Sequence, residues 1–328
     1  MTTLAILGCG RIGQVHAGSL LGLPGTRIGA VSDAVPAAAE ALSARTGAPV
    51  RTADQVMSDP EIAAVIVATP TDTHFDLIHA AAEAGKAVFC EKPVDMSANR
   101  IRTCIDAVEK SGIAFMTGFN RRFDTSFAHL RGQLRAGAIG AVEIVTISSR
   151  DPAPPPLDYI AASGGIFRDM MIHDFDMARF LLEEEPVQVF ATGAALVDPA
   201  IGQAGDVDTA AAILTTASGR ICQISNSRRA AYGYDQRVEV HGADGMLRVG
   251  NIRDHSVEAA TGSGFTRAPA QHFFLERYRD AYLAEMAHFV DALREGCPPQ
   301  PTIHDGLRAQ LLADAAALSL ESGTPVRL

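Results

Sequence analysis

The sequence predicts an α/β chain of two domains. A doubly wound parallel sheet is expected over residues 1–119, then an α+β domain with a mostly antiparallel, open-faced sheet over residues 120–328. Three observations carry this. The first 118 residues alternate short apolar runs with helical patterns, and such alternation requires right-handed crossovers and a parallel sheet. A glycine turn of the form G-x-G-x-x-G directly follows the first apolar run. After Phe119 the rhythm changes to successive strand-like runs, closed by two helical stretches.

A length of 328 residues suits two domains of about 100–200 residues each. With 47% hydrophobic and 20% charged residues, a sizeable core forms without disulfide or metal staples. The net charge of −10 argues against nucleic acid and anionic membrane as partners. The 5 cysteines are odd in number and form no C-x-x-C pair, so reduced thiols and no metal are expected. No apolar run approaches the roughly 20 residues that span a bilayer. The opening MTTLAILG enters a strand pattern at once, leaving no room for a signal peptide. A cytoplasmic location is the expectation.

In chain order, residues 3–7, 27–32, 63–68, 87–90 and 114–118 read as buried strands. Residues 36–46, 74–85 and 98–112 read as helices, with Gly47, Gly85 and Gly112 as C-caps. A helix over 126–137 opens the second half and leads to a strand at 141–150. Strand patterns follow at 187–197, 209–227, 236–250 and 256–261, with Ser218-Gly219 and Asp244-Gly245 as hairpin signals. Helices near 272–295 and 304–322 are expected on one face of this sheet. The other face needs a partner or enough polar residues to meet water, so a homo-oligomer is expected.

The glycine turn stands where a dinucleotide site needs it, between a strand and a helix. Gly8 permits the tight turn, Gly10 lets the backbone approach a pyrophosphate, and Gly13 lets helix and strand pack closely. Arg11 and Ile12 lie within the turn, and Arg11 can reach a phosphate. Helix N-terminal N–H groups would meet the same charge. Asp33, 20 residues past Gly13, can accept from the ribose 2′-hydroxyl and would repel a 2′-phosphate. NAD is therefore the expected cofactor, ahead of NADP. Two further strand ends, ATPTDTH and CEKPV, belong at the carboxyl edge where ligands bind in open α/β sheets. They contribute Thr69, Pro70, Glu91 and Lys92. His74 either flanks the cofactor or caps a helix. Lys92-Pro93 could be cis, which would aim the lysine.

The stretch GGIFRDMMIHDFDMARF, residues 164–180, loads charge onto an apolar run. As a helix over 166–182 at about 100° per residue, it puts Asp169, His173 and Asp176 within an arc of roughly 60°. A merely solvated face would be broader and richer in lysine or glutamate. A carboxylate one turn before a histidine suits a base and its orienting group. Asp176 and Arg179 read as structural, Arg168 is undecided, and Gly164-Gly165 reads as a loop admitting ligand close to the backbone. Arg121, Arg150 and Arg228 would suit an anionic ligand, but loop arginines are more often salt-bridged.

The glycine motif, the EKP at 91–93 and GFNRRFD at 118–124 together resemble the Gfo/Idh/MocA oxidoreductases, and the resemblance covers essentially the whole chain. That family joins a Rossmann domain to an open-sheet α+β domain. Within it, SRDPAPPP, SGGIFRDMMIHDFDMARF and NSRRAAYGYDQRVEVHG are most similar to the branch that oxidises inositols. The resemblance implies Lys92 between nicotinamide and substrate, with Asp169 and His173 completing the catalytic set. It implies Asn120 and Arg122 near nicotinamide and substrate, and Asp151 and Tyr232 near the substrate. It implies NAD-dependent oxidation of a cyclic polyol, foremost myo-inositol to 2-keto-myo-inositol (scyllo-inosose), by a homotetramer. Another inositol isomer, glucose, or an NAD-binding sugar sensor without turnover are the alternatives.

Overall fold

The computed structural model describes residues 1–328, apart from the side chain of Ala161. The chain forms two compact units, Met1–Phe123 with Ala281–Gln310, and Asp124–Asp280 with Leu311–Leu328.

The first unit runs β1 (Thr2–Leu7), α1 (Arg11–Leu21), β2 (Thr26–Ser32), α2 (Pro36–Thr46), α3 (Ala53–Ser58), β3 (Ala64–Val67), α4 (His74–Glu83), β4 (Ala87–Glu91), α5 (Ala98–Ser111) and β5 (Phe115–Gly118). Its strands form one parallel sheet in the order β2-β1-β3-β4-β5. Alternate residues of β1 enter opposite cores. Leu4 and Ile6 pack with Leu20, Ile66 and Phe89, while Ala5 and Leu7 pack with Val65, Ile78 and Ile101. Burial on both faces is why these strands read as unbroken apolar runs.

The second unit holds α6 (Thr125–Arg135), β6 (Val142–Arg150), α7 (Leu157–Ser163), α8 (Ile172–Leu182), β7 (Pro186–Ala194), α9 (Pro199–Gln203), β8 (Thr209–Thr216), β9 (Ile221–Ser227), β10 (Asp235–Gly242), β11 (Gly245–Val249), β12 (Glu258–Thr261), β13 (Gly264–Arg267) and α10 (Phe274–Arg277). Its main sheet has the order β11-β10-β6-β9-β8-β7-β14, where β14 is Val326–Arg327. β6 and β9 run parallel, and the other neighbours antiparallel. Along β8, Ala210, Ala212 and Leu214 are buried while Ala211 and Ile213 are exposed, so one face is core and the other open. β12 and β13 form a separate exposed hairpin.

Two expectations need correction. The cut at 119/120 assigned both closing helices to the second domain. Instead α11 (Arg279–Glu295) lays Met286, Phe289 and Val290 into the first core, and Ile303, opening α12 (Ile303–Ser322), enters the other core of the same sheet. An apolar helix stripe shows that a helix is buried, not which domain buries it. The stretch 166–182 is also not one regular helix. It begins as a π-turn over Phe167–Met171 and becomes α-helical only at Ile172.

Candidate active site

The glycine turn has the shape a pyrophosphate site requires. Gly8 holds φ +96°, and a Cβ there would lie 2.4 Å from the Ala68 carbonyl. A Cβ on Gly13 would lie 1.9 Å from the Gly8 oxygen, so α1 rests directly on the turn. At Gly10 a Cβ would meet nothing within 4 Å, which leaves the backbone open to a ligand. α1 starts immediately after Gly10, with no side-chain cap and no acid in its first turn, so its positive end is not neutralised locally. Arg11 and Ile12 form that first turn. Asp33, just past β2, accepts from the Cys9 amide at 2.6 Å and the Val35 amide at 2.8 Å, which fixes its carboxylate beside the turn. Burial, then the Asp33 charge, push the Cys9 thiol up to about 11, so it stays protonated at neutral pH. These residues fit NAD.

The carboxyl ends of β3 and β4 are tied together by His74. One ring nitrogen lies 2.9 Å from the Thr69 carbonyl and the other 3.0 Å from that of Pro93. The ring is 1% exposed, and burial lowers its pKa, favouring the neutral form that donates to one carbonyl at a time. His74 is also the first residue of α4. Its ring therefore acts on the Thr69-Pro70 turn and on the Lys92-Pro93 peptide, which is cis. Glu91 is held just before the lysine: His16, fully buried, meets its carboxylate at 2.6 Å, and the Lys92 amide donates to the other oxygen at 3.2 Å. His16 carried no signal in the sequence beyond its place in α1. Asn120 is buried two residues past β5, and Arg122 pairs with Asp305 at 3.0 Å.

In the second unit, register gathers another cluster at one end of the sheet. Arg150 of β6 stands opposite Ser227 of β9 and Asp235 of β10. Asp151 follows, its amide donating to the Ser227 carbonyl at 3.0 Å. Tyr232 donates to Asp235 at 2.7 Å, and Arg150 and Arg237 approach the same carboxylate at 3.1 and 2.7 Å. Burial alone would raise the Asp235 carboxyl, but hydrogen bonds from Arg237, Tyr232 and Asn251 outweigh it and bring it to about 2. Burial and the bond to Asp235 raise the Tyr232 phenol, which stays protonated at neutral pH.

Asp169 lies in the π-turn and His173 in the first turn of α8. Both Asp169 oxygens take donors: Tyr159 of α7 at 2.9 Å and Arg228, following β9, at 3.2 Å. Tyr159 was invisible to sequence reasoning, because nothing in its spacing links α7 to this turn. Arg228 is buried in an ion pair, the second of its two expected fates. Asp176 does not share the stripe. It is buried beside Arg179 at 3.7 Å, whereas Asp169 and His173 are partly exposed. Asp174 turns inward instead and is clamped by Ser149 at 2.6 Å and Asn226 at 2.7 Å, fastening α8 to β6 and β9. Arg168 pairs with Asp314 at 2.8 Å. Gly164 and Gly165 both take positive φ, and what comes close is Asp206: a Cβ on Gly165 would lie 2.8 Å from its carboxylate, which accepts from the Ile166 amide at 3.1 Å. At Gly165, then, a side chain of the same unit already lies against the backbone.

A parallel-sheet unit with a glycine turn shaped for a dinucleotide, followed in the chain by an open-sheet unit, is the plan of a nicotinamide-dependent oxidoreductase. The chain belongs to the GFO/IDH/MocA family: the oxidoreductase family with NAD-binding Rossmann fold matches residues 2–119, and the GFO/IDH/MocA C-terminal domain matches residues 127–248. It is 55% identical to an inositol 2-dehydrogenase of Rhizobium meliloti, over 96% of each chain. It is 44% identical to a myo-inositol 2-dehydrogenase of Thermotoga maritima, over 99% of this chain and 98% of the relative. Its fold superposes with a TM-score of 0.92 on scyllo-inositol dehydrogenase from Lactobacillus casei, solved with NAD(H) and scyllo-inositol. That protein is 28% identical, with 100% of this chain and 99% of the other covered.

Proposed function

We propose that this protein oxidises one ring hydroxyl of a cyclic polyol with NAD, myo-inositol foremost, yielding 2-keto-myo-inositol (scyllo-inosose). The observation that carries this is the combination, in one chain, of a glycine turn fitted to NAD and an Asp169 carboxylate, four residues before His173, that is held on both oxygens. The inositol dehydrogenases to which the chain is similar supply the substrate class. NAD, when bound, supplies the acceptor for the hydride that leaves the carbinol carbon. The chain's own residues do the rest. His173 takes the hydroxyl proton, and Asp169 orients the imidazole and stabilises its charged form. Lys92 donates to the reacting oxygen and stabilises its developing negative charge. Asp33 holds the ribose, Gly8, Gly10, Arg11, Ile12 and Gly13 receive the pyrophosphate, and Thr69, Pro70, Glu91 and Asn120 line the cofactor side. Arg122, Asp151 and Tyr232 hold the remaining hydroxyls.

The test is NADH formation across myo-, scyllo- and chiro-inositol and glucose, run with NAD and NADP. Turnover highest with myo-inositol and NAD is expected. No net NADH with any of them would leave an NAD-binding sugar sensor in its place.

The reading includes a cytoplasmic homo-oligomer, a tetramer, joined through the open sheet face. Phe190 and Ile213, cross-strand neighbours in β7 and β8, are both exposed there, and paired exposed apolar residues on an uncovered sheet suit a second copy. Ile213→Asp should lower the particle mass in light scattering while NAD binding persists; an unchanged mass would exclude this face.

A further inference from the structure

We propose that Arg228 and Tyr159 are positioning residues for the catalytic pair, holding Asp169 in a single orientation from its buried and its solvent side. The proposal rests on the reading of Asp169 and His173 as that pair. Arg228 is unusually constrained for an arginine just past a strand. Its amide donates to the Asp208 carbonyl at 2.8 Å, and its side chain is 1% exposed. The guanidinium reaches Asp169 at 3.2 Å and comes within 3.9 Å of Asp206. Asp206 in turn accepts from the Ile166 amide at 3.1 Å, just before the π-turn that carries Asp169. One buried cation thus holds the catalytic carboxylate directly and the start of its turn through a second carboxylate.

A buried arginine is costly unless paired, and in low-dielectric surroundings the paired geometry is correspondingly well defined. That much could serve stability alone. Tyr159 points to more. Tyr159 is 50% exposed, on the short helix α7, yet its hydroxyl reaches the other Asp169 oxygen at 2.9 Å. A purely structural ion pair needs no second donor from the solvent side. A carboxylate that must orient a base does, because a free χ2 rotation would average its direction.

The experiment is steady-state kinetics of the intact enzyme with NAD and myo-inositol across pH, for Arg228→Lys, Arg228→Met, Tyr159→Phe and Asp169→Asn. Small misplacements at a reacting centre cost up to about 10²-fold. Arg228→Met should lower kcat by about that factor, Tyr159→Phe by about tenfold, and Arg228→Lys should recover part of the loss. KM for NAD should not move. The acid limb of the pH profile should shift to lower pH in Tyr159→Phe and Arg228→Lys, which keep the local charge, since a loosened carboxylate stabilises the charged imidazole less. If Arg228→Met does not fold, Tyr159→Phe and Arg228→Lys decide. Folded Tyr159→Phe and Arg228→Lys with wild-type kcat and pH profile, beside an inactive Asp169→Asn, would overturn the positioning role alone. An active Asp169→Asn would overturn the catalytic pair itself, and this proposal with it.

Discussion

His173→Ala should lower kcat by about 10²–10⁴-fold, the usual contribution of a positioned acid–base group, equivalent to about 3–5 kcal/mol of barrier. NAD affinity should hold, because the phosphate turn and Asp33 belong to the first unit and His173 to the second. Lys92→Ala should cost about 10²–10³-fold in kcat, the range for losing one donor to a developing oxyanion. The lysine directly follows β4, and its bond to Pro93 is cis; Glu91 before it is anchored by His16, and the Pro93 carbonyl meets His74. Each substitution removes a side chain without disturbing those ties, so binding of NAD by titration calorimetry and turnover by NADH formation separate chemistry from folding. If both variants bind NAD and turn over near the wild-type rate, this assignment of proton acceptor and oxygen ligand is wrong.

Gly13→Ala should abolish NAD binding and destabilise the first unit, whereas Gly10→Ala should leave stability nearly untouched. The two glycines lie three residues apart in one motif, yet their surroundings are opposite. At Gly13 an added methyl would sit 1.9 Å from the Gly8 oxygen. Gly8 cannot retreat, since its own Cβ position already lies 2.4 Å from the Ala68 backbone. α1 must tilt off β1, at about 1–3 kcal/mol or more for overpacking of this kind, and its N-terminus leaves the phosphate site. At Gly10 the added methyl meets no protein atom within 4 Å, so its effect falls on the ligand that approaches there. Thermal melts with and without NAD read both: a lower Tm and no NAD-induced rise for Gly13→Ala, and a wild-type Tm with a diminished rise for Gly10→Ala. A Gly13→Ala protein with wild-type Tm and NAD response would contradict the close packing on which this rests.

The first unit was legible because each of its signals is local. The G-x-G-x-x-G turn, the apolar strands and Asp33 act within one strand–turn–helix–strand run, and the structure places them there. The lysine at the end of β4 and the aspartate–histidine spacing were legible for the same reason. What escaped were contacts between segments far apart in the chain. His16 reaches Glu91 across 75 residues, and Arg228 reaches Asp169 across 59. Asp174 is nearer in character to its neighbours Asp169 and His173 than to any core residue, yet Ser149 and Asn226 bury it.

By itself, then, the sequence determined the two-domain α/β plan and the dinucleotide turn, and it supplied the residues proposed for chemistry. Periodicity and motif spacing encode these, because backbone geometry converts them directly into strands, turns and helix faces. Tertiary structure alone decided which core receives α11, where the π-turn interrupts the charged helix, and which partners hold Glu91, Asp169 and Asp174. Those outcomes depend on which distant segments the fold brings together. That is settled by sheet register and packing, which no local pattern specifies.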